Sequence, residues 1–252
     1  MTSRWQVAWI TGAGTGIGRA LALDLAREGV KVAATARSER NLSLLAAHHM
    51  AVDFHPLDVT DKAAVAEAVE EIESAIGPID LAILNAGTWR PLSVQKFDSG
   101  AVREALETNY MGVVHCIEVL MPRMIARGRG HIAIVASVAG YRGLARGGGY
   151  APTKAALINL AECLYVEAAQ HGVKVSLINP GYVDTPMTRG ADFPMPFMVT
   201  AEDAAARILK GLERERFEIA FPWPLVWPLK IARILPYQLY FWTLRRFGVG
   251  RR

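Results

Sequence analysis

Val7-Ala8-Trp9-Ile10-Thr11-Gly12-Ala13-Gly14-Thr15-Gly16-Ile17-Gly18 is the stretch on which the fold turns. Four consecutive apolar residues read as a short buried strand. The glycines that follow permit a tight turn, and Ile17, Leu21 and Leu25 then recur at fourfold spacing, the stripe of a helix. The same alternation continues outward along the chain. Strand-like runs lie at 30–36, 51–57, 79–85, 131–137, 173–179 and about 217–221. Between them, Val65, Val69, Ile72 and Ile76 stripe one helix, and Leu157, Leu160, Leu164 and Ala168 another. Near-continuous Val/Ile/Leu strands alternating with helices predict a doubly wound parallel α/β sheet, Rossmann-like and covered on both faces. Ligands in such a sheet sit beyond the carboxyl ends of the strands. The chain shows no repeat and no Ser/Gly linker, and its 252 residues suit a single domain.

Composition narrows the classes further. Hydrophobic residues make up 52% against 21% charged, enough for a large core, and 22 Gly with 13 Pro in no period exclude a fibre. Cys116 and Cys163 are too few for a disulfide framework, which predicts a reducing compartment. Met1-Thr2-Ser3-Arg4 precedes the first strand without the features of a secretory signal, so a cytoplasmic location is expected. The six histidines form no ligand motif, and no metal site is expected. The net charge is +4, but residues 219–252 hold six cations and no acid. The rest of the chain carries 22 basic and 24 acidic side chains, so its body is slightly acidic and a nucleic-acid partner is not expected.

The glycine turn carries chemistry as well as topology. The spacing G-x-G-x-x-G fails, because Ile17 or Arg19 stands at its third glycine, whereas Gly12-x-x-x-Gly16-x-Gly18 holds. Between a strand and a helix, such glycines let the backbone approach a pyrophosphate and aim a helix N-terminus at its charge. A dinucleotide is therefore expected on Thr11, Gly12, Gly16, Ile17 and Gly18. At the end of the second strand, where an acid would serve the ribose hydroxyls of NAD, the chain reads Thr35-Ala36-Arg37-Ser38. A guanidinium suits a 2′-phosphate, so Arg37 and Ser38 favour NADP(H) over NAD(H).

Tyr150 and Lys154 stand four apart near the start of a helix and so share one face. They follow, in order, the Thr11–Gly18 loop, Asn85-Ala86-Gly87 after the fourth strand, Asn109 in the next helix, and Ser137 at the end of the fifth strand. On these motifs the chain resembles the classical short-chain dehydrogenase/reductase family, from about residue 5 to about residue 221. The resemblance implies an NADP-dependent oxidoreductase acting between a carbonyl and a secondary alcohol. Tyr150 would be the general acid/base, and Lys154 would hold the nicotinamide ribose and lower the phenol's pKa. Ser137 would position the carbonyl, and Asn109 would keep a relay water behind Lys154. The family pattern also sets Asp58 and Val59 at the adenine and Asn85, Ala86 and Gly87 along the cofactor. Pro180, Gly181, Val183 and Thr185 would lie by the nicotinamide, and a homodimer or homotetramer is usual among relatives. Two departures stand out. Leu84 replaces a frequent asparagine, and Pro152 falls inside the Tyr-x-x-x-Lys pair, in a first turn that tolerates it.

Specificity is expected from the loop at about 182–200, where Pro186, Met187, Phe193, Met195, Pro196, Phe197 and Met198 predict an apolar cover, with Arg189 and Asp192 as charged exceptions. A bulky hydrophobic ketone or aldehyde fits that composition. Alternatives are an NAD-dependent alcohol dehydrogenase, a β-ketoacyl thioester reductase, and a non-catalytic NADP-binding sensor or scaffold. The division expected is a Rossmann-like domain at 1–221 and an aromatic, basic extension at 222–252. Residues 219–252 hold eight of the 21 aromatic residues, and four prolines that break any long helix. That composition suits a pocket cover, a subunit interface or a peripheral contact with a membrane surface.

Overall fold

The computed structural model describes residues 4–189 and 193–247. Met1, Thr2, Ser3, Asp192, Arg251 and Arg252 lie outside the described residues. Seven strands, β1 (Val7–Thr11), β2 (Lys31–Ala36), β3 (Val52–Pro56), β4 (Leu81–Leu84), β5 (Gly130–Val135), β6 (Val173–Pro180) and β7 (Glu218–Phe221), form one sheet in the order β3-β2-β1-β4-β5-β6-β7. Every neighbouring pair is parallel. This is the doubly wound single domain that the alternation predicts. The strand order reverses between β1 and β4, which opens a crevice beyond their carboxyl ends.

Helices α1 (Gly16–Arg27), α2 (Glu39–Ala46), α3 (Lys62–Ile76), α4 (Ser99–Leu106), α5 (Gly112–Arg127), α6 (Ala151–Ala168) and α7 (Ala201–Glu213) complete the layers. On one face Leu21 and Leu25 of α1 pack with Ile208 and Leu212 of α7. On the other, Val65, Val69 and Ile72 of α3 pack with Leu120 of α5 and Leu157 of α6. Both sheet faces are thus dry, which is why the strands need no polar alternation. Trp9 is fully buried in β1, and its indole N–H donates to Thr35 Oγ1 at 3.0 Å. Side-chain caps fix several helix starts: Ser38 accepts from Asn41 N at 3.3 Å, Asp61 from Ala64 N at 3.1 Å and Thr200 from Asp203 N at 3.1 Å.

Beyond β7 the chain forms two short helices, α8 (Trp223–Ile234) and α9 (Tyr237–Phe247). The prolines limit their length without abolishing them. Pro224 sits in the first turn of α8, where its missing N–H has no helical partner, and Pro236 separates the helices. Val226 is buried in the core layer that holds α6, with Leu225 and Leu229 packed beside it. No helix among the described residues is long and apolar enough to cross a membrane.

Candidate active site

The crevice floor is built by Thr11 and Asn85. Thr11, 1% exposed, accepts through its hydroxyl from Asn85 N at 2.9 Å and Ala86 N at 3.0 Å. The Asn85 amide donates back to Thr11 O at 3.0 Å and Gly12 O at 3.2 Å. Gly12 has φ +67° and lies so close to Ala86 that a Cβ would fall 2.9 Å from its Cα. The tight approach that the sequence predicts is therefore made between β1 and β4, and only a glycine meets both demands. Ala13 N donates to Thr35 O at 3.0 Å, which ties the loop to the end of β2. Arg37 is exposed one residue past β2, and the neighbouring Ser38 hydroxyl is engaged in capping α2.

A second group of residues gathers at the ends of β5 and β6. Tyr150 stands at the N-terminus of α6, and Lys154 one turn on, with its ammonium 5.6 Å from the phenol ring centroid. Pro152 occupies the first turn, and the pair keeps its common face. Lys154 is only 3% exposed and donates to Val135 O at 2.8 Å. Burial pulls its pKa down to about 8, and pushes the Tyr150 phenol up to about 12, with the Ser137 hydroxyl pulling the phenol the other way. Ser137 caps a 3₁₀ turn at Val138–Gly140, accepting from Ala139 N at 3.1 Å and donating to Pro180 O at 3.3 Å.

Asn109 lies in a π-helical turn, Glu107–Met111, that joins α4 to α5. It is fully buried, and both ends of its amide are committed. Oδ1 accepts from Thr88 N at 2.7 Å, while Nδ2 donates to Thr88 O at 3.0 Å and to Thr153 Oγ1 at 3.1 Å. A Cβ on Gly87 would lie 3.2 Å from that Oδ1 and 3.7 Å from Lys154 Nζ, so the three residues adjoin.

The structure distributes the remaining predicted residues unevenly. Thr185 packs its side chain over Gly16, at the glycine turn. Val183 is buried in the core and bridges Val199, with Gly181 bonded to Phe221 O at 2.7 Å. Asp58 holds Thr60, its Oδ1 accepting from the N–H at 3.0 Å and the hydroxyl at 2.9 Å. The Val59 side chain packs in the core against Gly112. Sequence reasoning passed over Thr88 and Thr153, which immobilise Asn109, although Thr153 at three residues from Tyr150 is placed to do so. It also passed over Trp89 and Tyr182, whose rings flank Phe193 at 5.9 and 6.0 Å between centroids.

Residues 6–193 match the family described as short chain dehydrogenase. The chain belongs to that family. An uncharacterized oxidoreductase of Myxococcus xanthus is 37% identical over 96% of this chain and 97% of its own. The 3-oxoacyl-[acyl-carrier-protein] reductase of Escherichia coli is 32% identical over 88% of this chain and 91% of its own. Among solved structures, an actinorhodin polyketide ketoreductase variant with NADPH superposes with a TM-score of 0.81 at 23% identity, covering 90% of this chain and 99% of that one. The short-chain dehydrogenase family binds a nicotinamide cofactor, and this chain is an oxidoreductase of that family.

The residues present fit such a cofactor. No acid stands in the first turn of α1 and the Thr15 side chain does not cap it, so its N–H groups and the Gly12 approach suit a pyrophosphate. The buried Lys154 ammonium, with three donors, suits ribose hydroxyls.

Proposed function

We propose that this oxidoreductase is an NADPH-dependent carbonyl reductase, with Tyr150 as its general acid and Ser137, Lys154 and Asn109 in support. The observation that carries the reading is the half-buried Tyr150 with the buried Lys154, beside Ser137 at the mouth of the crevice. When bound, the nicotinamide supplies the hydride. Tyr150 holds the proton at its phenol oxygen, which stays protonated at neutral pH and can donate to a carbonyl oxygen as negative charge develops there. Ser137, fixed between Ala139 and Pro180, orients that oxygen. Lys154 lies against the phenol ring and offsets the phenolate charge left behind. With the Asn109 amide committed to Thr88 and Thr153, a relay water behind Lys154 would rest on the main chain of the π-helical turn.

Arg37 supports the choice of NADPH. The 2′-phosphate reader is this guanidinium at the end of β2, beside a loop that offers no carboxylate to a ribose hydroxyl. Arg37→Ala is expected to weaken NADPH by about 1.5–3 kcal/mol and to leave NADH nearly unchanged. Titration of both cofactors measures this, and equal affinities in the wild type would remove the assignment. The remaining predicted contacts, Ile17, Ser38, Asp58, Val59, Ala86 and Gly87 with Pro180, Gly181, Val183 and Thr185, are assigned to the same cofactor. Trp89, Tyr182 and Phe193 favour a bulky apolar ketone or aldehyde, to be tested by turnover of ketones graded in size. The likeness to the 3-oxoacyl reductase supports a second reading, a β-ketoacyl thioester substrate, which a carrier-linked substrate would distinguish.

A further inference from the structure

Helix α8 is apolar on two opposite faces. Its sequence, WPLVWPLKIARI, has only Lys230 and Arg233 as polar residues. Leu225, Val226 and Leu229 face the domain. Trp223, Trp227, Ile231 and Ile234, spaced by four, four and three, fall on one outer stripe and are 70%, 60%, 55% and 81% exposed. On α9, Tyr237, Leu239, Phe241 and Trp242 are exposed as well. A helix apolar all round is normally enclosed, and a continuous exposed stripe of this size marks a surface that meets a partner.

The stripe is held out firmly. Arg142 Nη1 donates to the last carbonyls of α8, at 2.5 Å to Ala232, 3.0 Å to Arg233 and 2.7 Å to Leu235. Its guanidinium lies 4.9 Å from the Tyr237 ring centroid and 4.2 Å from that of Tyr240. The Tyr240 hydroxyl donates to Gly143 O at 2.6 Å, and Lys230 pairs with Glu218. These bonds face the domain, so none of them competes for the outer stripe.

Charge selects the partner. Lys230 and Arg233 pair with Glu218 and Glu162, Arg245 is exposed near the end of α9, and from 219 onward the sequence holds six cations and no acid. An isologous contact with a second copy would set two such acid-free segments against each other. Anionic lipid instead offers the opposite charge, and exposed Trp and Tyr beside Arg is the composition of a segment lying at the headgroup level. We propose that the outer stripe of α8, with the aromatic and arginine residues of α9, docks this protein on an anionic membrane surface. The docking rests on α8 and α9 alone and stands apart from the reductase reading.

Flotation of the full-length protein with vesicles tests it, using phosphatidylcholine alone and phosphatidylcholine mixed with phosphatidylserine. The expected result is binding to the mixed vesicles at low salt that weakens as salt rises. Trp227→Ser combined with Ile231→Ser should lower partitioning at least about tenfold, since two exposed side chains lose their burial in lipid. Arg245→Gln should lower it roughly fivefold. Quenching of tryptophan emission by brominated lipid supplies a readout on the unaltered protein, should the double variant fail to fold. Absence of flotation with mixed vesicles at low salt, or flotation that survives the double substitution in a folded variant, overturns the proposal. So does an oligomer that the double substitution dissolves while no vesicle binds, which would give the stripe to a second copy.

Discussion

Burial moves Tyr150 and Lys154 in opposite directions, and both movements matter to the proposed chemistry. A phenol at about 12 is a proton donor throughout the neutral range. Tyr150→Phe is therefore expected to keep the fold and NADPH affinity while kcat falls by at least about 10²-fold, the loss typical of a general acid. Near wild-type turnover of that variant would remove Tyr150 from the mechanism. Lys154, held near 8 by burial, is an ammonium below that pH and is neutral above it. NADPH affinity of the free enzyme should then decline as pH rises through about 8, and Lys154→Ala should flatten that limb of the Kd profile. A profile unchanged by the substitution would mean that another group titrates there. At this scale the residue types and their spacings were readable: Tyr150, Lys154, Ser137 and Asn109 all meet near one crevice. The engagement of Asn109 was not, because Thr88 and Thr153 are brought to its amide by β4 and α6, from 21 and 44 residues away.

At the scale of elements, the loop after β6 shows how a flexible composition acquires a fixed base. Val199 N donates to Tyr182 O at 3.0 Å and Asp184 N to Val199 O at 2.9 Å, so the segment between them leaves and returns at one point. Phe193 reaches from it to the rings of Trp89 and Tyr182. If that cluster receives the substrate, Phe193→Ala should raise KM for bulky apolar ketones about tenfold, the effect of losing a buried aromatic contact, and change small ketones little. Steady-state kinetics on a size-graded series decides it, and a uniform change across the series would exclude a role in selectivity. The strands were readable to within two residues at each end, since the inner ones are short apolar runs buried on both faces, while β3 and β7 stand at the sheet edges. Tail helices were harder to read. Prolines at 222, 224, 228 and 236 look like breaks, yet one falls in a first turn and another between helices, and packing of Leu225, Val226 and Leu229 outweighs the backbone bond lost at Pro228.

Over the whole molecule, the segment after Ser137 and the tail share bonds. Glu218 accepts from Tyr141 Oη at 2.5 Å and Asn179 Nδ2 at 2.9 Å and pairs with Lys230. Burial raises its pKa, but these partners hold the carboxyl below its ordinary value. With Arg142 and Tyr240, this joins the segment after Ser137 to α8 and α9. A ligand that binds only the folded state stabilises all of it by mass action. NADPH at about a hundred times its Kd should add about 2.7 kcal/mol and raise Tm by roughly 5–10 °C, with NADH at the same concentration giving less. An equal shift from both, read by thermal denaturation, would contradict the reading of Arg37. The sequence by itself determined the layer order, the glycine turn and the identity of the catalytic candidates, because apolar periodicity and glycine placement act over a few neighbouring residues. Only the tertiary structure decided which groups satisfy Asn109 and Glu218, how far burial moves Tyr150 and Lys154, and which stripe of α8 faces outward. Those outcomes depend on contacts between residues far apart in the chain, and desolvation is set by everything packed around a group.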